Sequence, residues 1–559
     1  MASIRRQKVG DRTYWQVVES HRVNGKPRPK VIKHIGTTDK LLALIEGSGN
    51  SEGFRFRSFS HGDVAALLKV ADDFGITSAF DSIFPVQTRK SLGVGRMLLV
   101  GAVHRAVKPG SKRAFSTWAQ TTTISRIMDF DASTVSSQDF WDQMMAVSKD
   151  DMEAAEEAMC RILKEKGLLD DTLLHYDLTN YFTYISTTNS RSTLAQRGHS
   201  KQRRNDLRCF GLSQVVTKDF LLPVFTKVYQ GNGANSKQFS NTLSDLRRFL
   251  TLISKEMSDI TLVFDRGSNS KANFNELDHE NVGYVASLSP YHHKDLMEIP
   301  ITRYSRIEVN GSTYPAFKAT KNVWLKERSV VVLISEKLKI GQIRGWDREI
   351  SKMKDSLFEL QSSLQSPRSK RDGPAAIKIA DKIIHPFYGV DLFKVSVEDA
   401  IDKGSTKPRL TWSFNEARYE ELKELYAGKR ILVTNRDWPI EEIISAYHSQ
   451  ATIEGVFRST KNPFHNAVRP QYHFTDHMVE VHTFICLTGF SLSQLLMCKL
   501  KGKGVVVSSI DDVLERLNRV REVEIVEQTG KRGRPRITRQ LENCPKDIME
   551  IYEAVMEPS

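Results

Sequence analysis

The sequence predicts a multi-domain α/β protein, and three observations lead there. At 559 residues the chain exceeds the roughly 250–300 that one hydrophobic core can serve, so several domains are expected. Apolar residues recur every three to four positions between about 60 and 168, which is helical spacing, and near 170 they give way to short continuous apolar runs of strand type. Two of these runs, 172–177 and 259–265, end on a carboxylate, with a helical stretch at 236–250 before the second.

Taken in order, residues 1–55 read as a small β unit. Positions 14–23 alternate, Asn24-Gly25 is a hairpin signal and 31–35 resume the strand. Nine Lys and Arg precede Gly36 against Asp11 and Glu19, which suits either a solvated hairpin face or a DNA-contacting arm. Residues 56–168 form a helical region, with apolar spacing at 61–74, 93–106, 137–148 and 150–166, and a role in DNA binding is open to it. Strand patterns at 172–177, 209–217, 221–229 and 259–265 define a unit over 169–287. Residues 288–430 read as an inserted unit. It opens on strand material (304–334) and continues into a charged helix with Ile350, Met353, Leu357, Leu360 and Leu364 at 3-4-3-4 spacing. The preceding unit resumes over 431–505 with a strand at 430–434 and one long helix at 440–461, and 506–559 read as a basic C-terminal tail.

The formal net charge of +14 points to a polyanionic partner, and nucleic acid is the commonest. Five scattered cysteines with no Cys-x-x-Cys pair argue against a disulfide framework and a Cys-rich zinc site. The first residues lack a signal-peptide core, and the most apolar stretch, 484–497, is interrupted by Thr488, Gly489, Ser491, Ser493 and Gln494 and is too short for a membrane span. A soluble cytoplasmic protein is expected, associated with the nucleoid if DNA is its partner.

Asp177 and Asp265 are the residues to which chemistry is assigned first, because a carboxylate at a strand end is held on a rigid scaffold and can ligate a hard divalent cation. Each taken alone is also an ordinary turn or capping residue. On the expected helix 440–461, Tyr447, Gln450, Glu454, Arg458 and Lys461 are spaced 3, 4, 4 and 3, and fall on one face. Such a stripe is either a solvated face or a metal carboxylate flanked by groups that grip phosphate.

With these residues the chain resembles the DDE transposases of bacterial and archaeal insertion sequences, in the large "IS four" group with an RNase H-like catalytic domain. The resemblance covers about 170–290 and 430–490. The group's signature is Tyr, two residues, Arg, three residues, Glu, six residues, Lys; here Tyr447, Gln450, Glu454 and Lys461 hold that spacing, with Gln450 in place of Arg. His175-Tyr176-Asp177-Leu178-Thr179-Asn180 and Phe264-Asp265-Arg266-Gly267-Ser268 resemble its two Asp motifs. Arg197-Gly198-His199-Ser200-Lys201 resembles its Gly-Tyr-Ser-Lys segment, and Gly231-Asn232 its Gly-Asn, with Asn235 where Asp is common.

The resemblance implies an RNase H-like catalytic domain interrupted by an insertion domain. It implies Asp177, Asp265 and Glu454 as catalytic residues holding two Mg²⁺ ions, for which Mn²⁺ can substitute, to cleave DNA and transfer strands by in-line attack at phosphorus. Tyr447, Gln450, Arg458, Lys461, Arg197 and Lys201 are the expected DNA contacts. The partners are the element ends and target DNA, with a homodimer or larger assembly at synapsis. The alternatives are an RNase H-like nuclease without strand transfer, and a DNA-binding protein with a decayed site.

Three further features weigh less. Arg191, Arg197, Lys201, Arg203, Arg204 and Arg208 crowd the connection after the first Asp strand and suit DNA contact. His473, His477 and His482 are expected as packing histidines rather than zinc ligands, having no Cys or Glu in a suitable place. The run Lys531-Arg532-Gly533-Arg534-Pro535-Arg536 resembles an AT-hook core, which lays arginines in a narrow minor groove.

Overall fold

The computed structural model describes residues 2–10, 12–23, 26–45, 54–84, 92–169, 173–198, 200–253, 256–366, 369, 371–402, 405–469, 471–527 and 536–558. At the N-terminus β1 (Ala2–Val9), β2 (Arg12–Val23) and β3 (Lys26–Thr37) form an antiparallel sheet of their own. Pairing of β2 with β3 reaches Val23 and Lys26, the residues flanking Asn24-Gly25, which lies outside the described residues. The next strand, β4 (Phe54–Ser60), leaves this unit and joins the C-terminal region described below.

The helices expected before residue 168 are present, among them Gly62–Asp73, Val94–Val107, Ser137–Met145 and Lys149–Glu165. The last two begin with capping boxes, Ser136 with Asp139 and Ser148 with Asp151, in which each partner satisfies the other's exposed backbone N–H. Val94–Val107 is apolar nearly all round because its partner is a later helix, Asp476–Gly502, which is buried along most of its length. The two approach so closely that a Cβ on Gly489 would lie 2.4 Å from the carbonyl oxygen of Ala102. Asp476–Gly502 is the one described helix long and apolar enough to cross a membrane, and here it is the central helix of a packed body.

Strands β5 (Leu173–Phe182), β6 (Cys209–Thr217), β7 (Pro223–Gln230), β8 (Thr261–Phe264), β9 (Gly283–Leu288), β10 (Ser305–Val309), β11 (Ser312–Val323) and β12 (Lys326–Ile334) follow. The hairpin β13 (Phe393–Asp402) and β14 (Ser405–Phe414) forms a two-stranded sheet, and β15 (Lys429–Thr434) closes this part of the chain. Nine of these strands make one sheet in the order β10-β11-β12-β15-β9-β8-β5-β6-β7. Within it β5, β8 and β9 are parallel, while β5-β6-β7 and the β10-to-β15 half are antiparallel. Arg328 on β12 fastens the outer half to the helix Lys271–His279: its guanidinium, 2% exposed, donates to both carboxylate oxygens of Asp278 (3.1 and 2.7 Å).

Several expected boundaries change. The strand material of 288–430 is not a separate unit, since β10–β12 extend the same sheet through β15; the β13-β14 hairpin and the helices Glu336–Gln365, Gly373–Ile383 and Glu416–Tyr426 stand outside it. The long helix at 440–461 is instead Ile440–Ser449, a 3₁₀ turn at Gln450–Thr452 and Ile453–Lys461. The residues expected as a basic tail fold back. The helices Ile510–Asn518 and Lys546–Met556 bury Val513, Leu514, Leu517, Ile548, Ile551 and Val555 in the helical body, and β16 (Arg521–Glu527) pairs with β4 and with β17 (Arg536–Leu541). The basic residues cluster at 531–539, whereas the segment as a whole carries nine Lys and Arg against eleven Asp and Glu, and its apolar residues at helical spacing place it in the body. The AT-hook-like run lies, apart from Arg536, outside the described residues.

Candidate active site

The site begins with two neighbouring parallel strands. Leu173, Leu174 and His175 of β5 pair with Thr261, Leu262 and Val263 of β8. Two steps further in the same register, Asp177 stands level with Asp265, so the two side chains leave the same face of the sheet. Asp177 lies within its strand rather than at the end: β5 runs on beside β6 to Phe182, whereas β8 stops at Phe264 and leaves that flank of Asp177 open. Asp265 ends β8, and its Oδ1 accepts from the Gly267 N–H (2.8 Å), capping the short turn Arg266–Ser268. Asp177 Oδ1 accepts from the Leu178 N–H at 2.6 Å.

The helix Ile453–Lys461 packs on β5 and buries Ile453, Val456 and Phe457 against Val216 of β6, which turns Glu454 outward. The carboxyl of Asp177 is pushed up to about 6. Burial is the chief cause, Lys201 opposes it, and Asp265 and then Glu454 push it further. Asp265 and Glu454 are therefore both within electrostatic reach of Asp177. Among the described residues no three His, Cys, Asp or Glu side chains are grouped as a ready metal site.

The donor chemistry nonetheless fits a hard cation. Asp265 and Glu454 lie within electrostatic reach of Asp177, and beside Asp177 is Gln214, its cross-strand partner and fully buried, whose Oε1 and Nε2 meet no protein partner. His175, two residues before Asp177 and likewise fully buried, has both ring nitrogens without a protein partner, and burial holds its pKa down to about 4. Sequence reasoning missed both residues, although His175 belongs to the motif around Asp177. Unpaired polar groups in a buried strand are the signal that identifies them, and only the fold exposes it.

Two lysines complete the surroundings. Lys461 Nζ donates to Thr179 Oγ1 at 2.5 Å, on the same side of β5 as Asp177. Its pKa is held down to about 8 by burial and by Lys201 and Arg469, with Asp177 opposing. Lys201 donates from its ammonium to the Leu178 carbonyl and from its backbone N–H to Asn180 Oδ1. Arg197 and Arg458 are exposed.

The rest of the expected stripe does not stay together. Gln450 is 8% exposed and heads the 3₁₀ turn, which interrupts the continuous helix that the stripe requires. Tyr447 is half-buried on the sheet with the Arg430 guanidinium 5.1 Å from its ring. In the basic loop, Arg208 donates to the carbonyls of Asn189 and Thr187, and Arg204 pairs with Asp206. The loop is held by Asp476, which accepts from Ser192, Thr193 and Leu194. The histidines pack as expected: His482 lies between Lys112 Nζ (3.1 Å) and the Val468 carbonyl (3.0 Å), His473 meets Trp141 edge to face, and His477 meets the Met144 carbonyl.

Comparison with known proteins adds one assignment. Residues 2–55 match the model of the IS1634 family transposase, N-terminal domain. Residues 2–55 are thus similar to a transposase N-terminal domain. A solved piggyBac transposase synaptic complex with hairpin DNA aligns with 81% of this chain and 79% of that one, at 9% identity and a TM-score of 0.34, too loose a likeness to carry an argument about the site. No curated protein matches. The matched residues cover the N-terminal β unit and end at the first residues of β4.

Proposed function

We propose that the protein is a DDE-type transposase that binds the terminal inverted repeats of an insertion sequence, cleaves the DNA at those ends and joins them to a target. The observation that carries this reading is the level register of Asp177 and Asp265 with Glu454 in electrostatic reach, behind a transposase N-terminal domain. An antiparallel β5-β6-β7 meander continued by two parallel strands, each reached through a helix, supports an RNase H-like core.

In this reading Asp177, Asp265 and Glu454 hold Mg²⁺, or Mn²⁺ in its place. When bound, the metal pair supplies an activated nucleophile and a stabilised leaving oxygen for in-line displacement at phosphorus. The chain's own residues do the rest. The strands fix the two aspartates relative to each other, and the 3₁₀ break sets the angle at which Glu454 arrives. Lys461 and Lys201 bring positive charge to the phosphate, and Lys461 is oriented by its bond to Thr179. The buried Gln214 amide and His175 ring offer hydrogen bonds beside Asp177. Two element ends handled together call for a homodimer or larger assembly.

The test is a cell-free reaction with Mg²⁺ and DNA carrying the inverted repeats that flank the gene. Cutting followed by joining supports the transposase. Cutting without joining assigns an RNase H-like nuclease, and binding alone assigns a protein with a decayed site.

A further inference from the structure

Past the carboxylates, β5 ends in an aromatic surface that the reaction described above does not use. Tyr184 and Tyr472 are 46% and 63% exposed, yet their rings stack on each other at 5.1 Å and 17°. The contact joins the segment after β5 to the loop after the helix Ile453–Lys461, and the Tyr184 N–H donates to the Gln471 carbonyl at 3.1 Å beside it. Phe182 meets the edge of Tyr184 (5.7 Å) and has two guanidinium groups on it, Arg469 at 4.4 Å and Arg204 at 5.3 Å. Rings that only fasten a loop are covered by it, whereas these keep outward faces open to solvent.

We propose that Tyr184 and Tyr472 form a stacking platform for unpaired bases of a DNA strand. Three features select that ligand. Flat exposed rings accept any base face, which double-stranded DNA cannot offer while its bases are paired. The guanidinium groups beside Phe182, with Arg191, Arg197 and Lys201 of the same connection, bring positive charge to the strand's phosphates. The position fits as well: Phe182 is five residues along β5 from Asp177, roughly 17 Å at strand rise, a few nucleotides from a phosphate held at the carboxylates. The inference rests on the DNA-processing reading above and adds that the bound DNA is locally unpaired.

The test uses the full chain in metal-free buffer and a random-sequence duplex, either blunt or carrying a short single-stranded tail with 2-aminopurine. Tailed DNA is expected to bind more tightly than blunt and to have its fluorescence quenched. The Tyr184→Ala/Tyr472→Ala variant is expected to lose about tenfold or more of that preference, at the roughly 1–3 kcal/mol that a stacked base contributes, with blunt binding unchanged. Trp at both positions is expected to keep the preference, and Tyr291→Ala, at an exposed tyrosine on the far part of the chain, to leave it intact. Equal binding of tailed and blunt DNA by the unaltered protein overturns the proposal, and so does an undiminished preference in the double alanine variant. Tail preference without Mg²⁺-dependent cutting leaves the platform standing and removes the transposase reading; cutting and joining without tail preference does the reverse.

Discussion

The two halves of the nine-stranded sheet bury apolar strands in different patterns. In β6, β8 and β9 every residue is buried, because helices or further strands cover both faces. In β10 and β11 buried and exposed positions mix, as befits a meander with one covered face. The candidate chemistry sits wholly in the first half. Parallel strands bring their carboxyl ends to one edge, so Asp265 and the open flank of Asp177 meet there, while an antiparallel meander sends alternate ends to opposite edges. The outer half joins the other through the β9–β15 pairing, and Arg328 braces it further.

Replacing Asp177, Asp265 or Glu454 by Ala is expected to abolish Mg²⁺-dependent cleavage with DNA affinity kept, whereas Glu308→Ala, at an exposed position of β10, leaves cleavage unchanged. Equal losses in a cleavage assay erase the functional contrast between the halves. Next in size is the brace. Arg328→Met leaves the half-buried Asp278 with only Lys326 Nζ, 3.2 Å away, and is expected to cost about 1–3 kcal/mol in urea unfolding. A loss below about 0.5 kcal/mol removes Arg328 as a brace between the halves.

The two remaining effects are smaller and lie within the first half. Asp177 holds its proton up to about pH 6 against an ordinary 3.8, so between these values the native state binds more protons and stability falls as pH rises. Asp177→Asn is therefore expected to stabilise the metal-free protein by about 1–2 kcal/mol at pH 8, discounted for its partial exposure, and by nothing below pH 3.8. A pH-independent gain in thermal unfolding contradicts the burial-and-repulsion account. Lys461→Ala is expected to lower the slope of log affinity against log salt by about one, as the loss of one phosphate contact does.

The strands that carry Asp177 and Asp265, and the helix that carries Glu454, were legible because fully buried strands and an amphipathic helix write their period into the chain. The stripe failed at Gln450 for a reason that periodicity does not encode: one turn tightened from 3.6 to 3 residues, while every flanking residue kept helical dihedrals. Gln214 was invisible because its meaning lies in a register, Asp177↔Gln214, that pairs residues far apart in sequence. The segment after 506 misled through the local run at 531–536, since Ile548, Ile551 and Val555 decide its place and its acidic residues outnumber the basic ones.

The embrace of Val94–Val107 by Asp476–Gly502 has a consequence in time. The first helix leaves the ribosome roughly 370 residues before its partner, a delay of roughly 20–70 s at ordinary rates of synthesis. Throughout that interval the helix has only the neighbouring helices of residues 62–145 beside it, and the face that Asp476–Gly502 covers lacks its partner, which makes the nascent polypeptide a client for chaperones. A product truncated before residue 476 never assembles this helix pair.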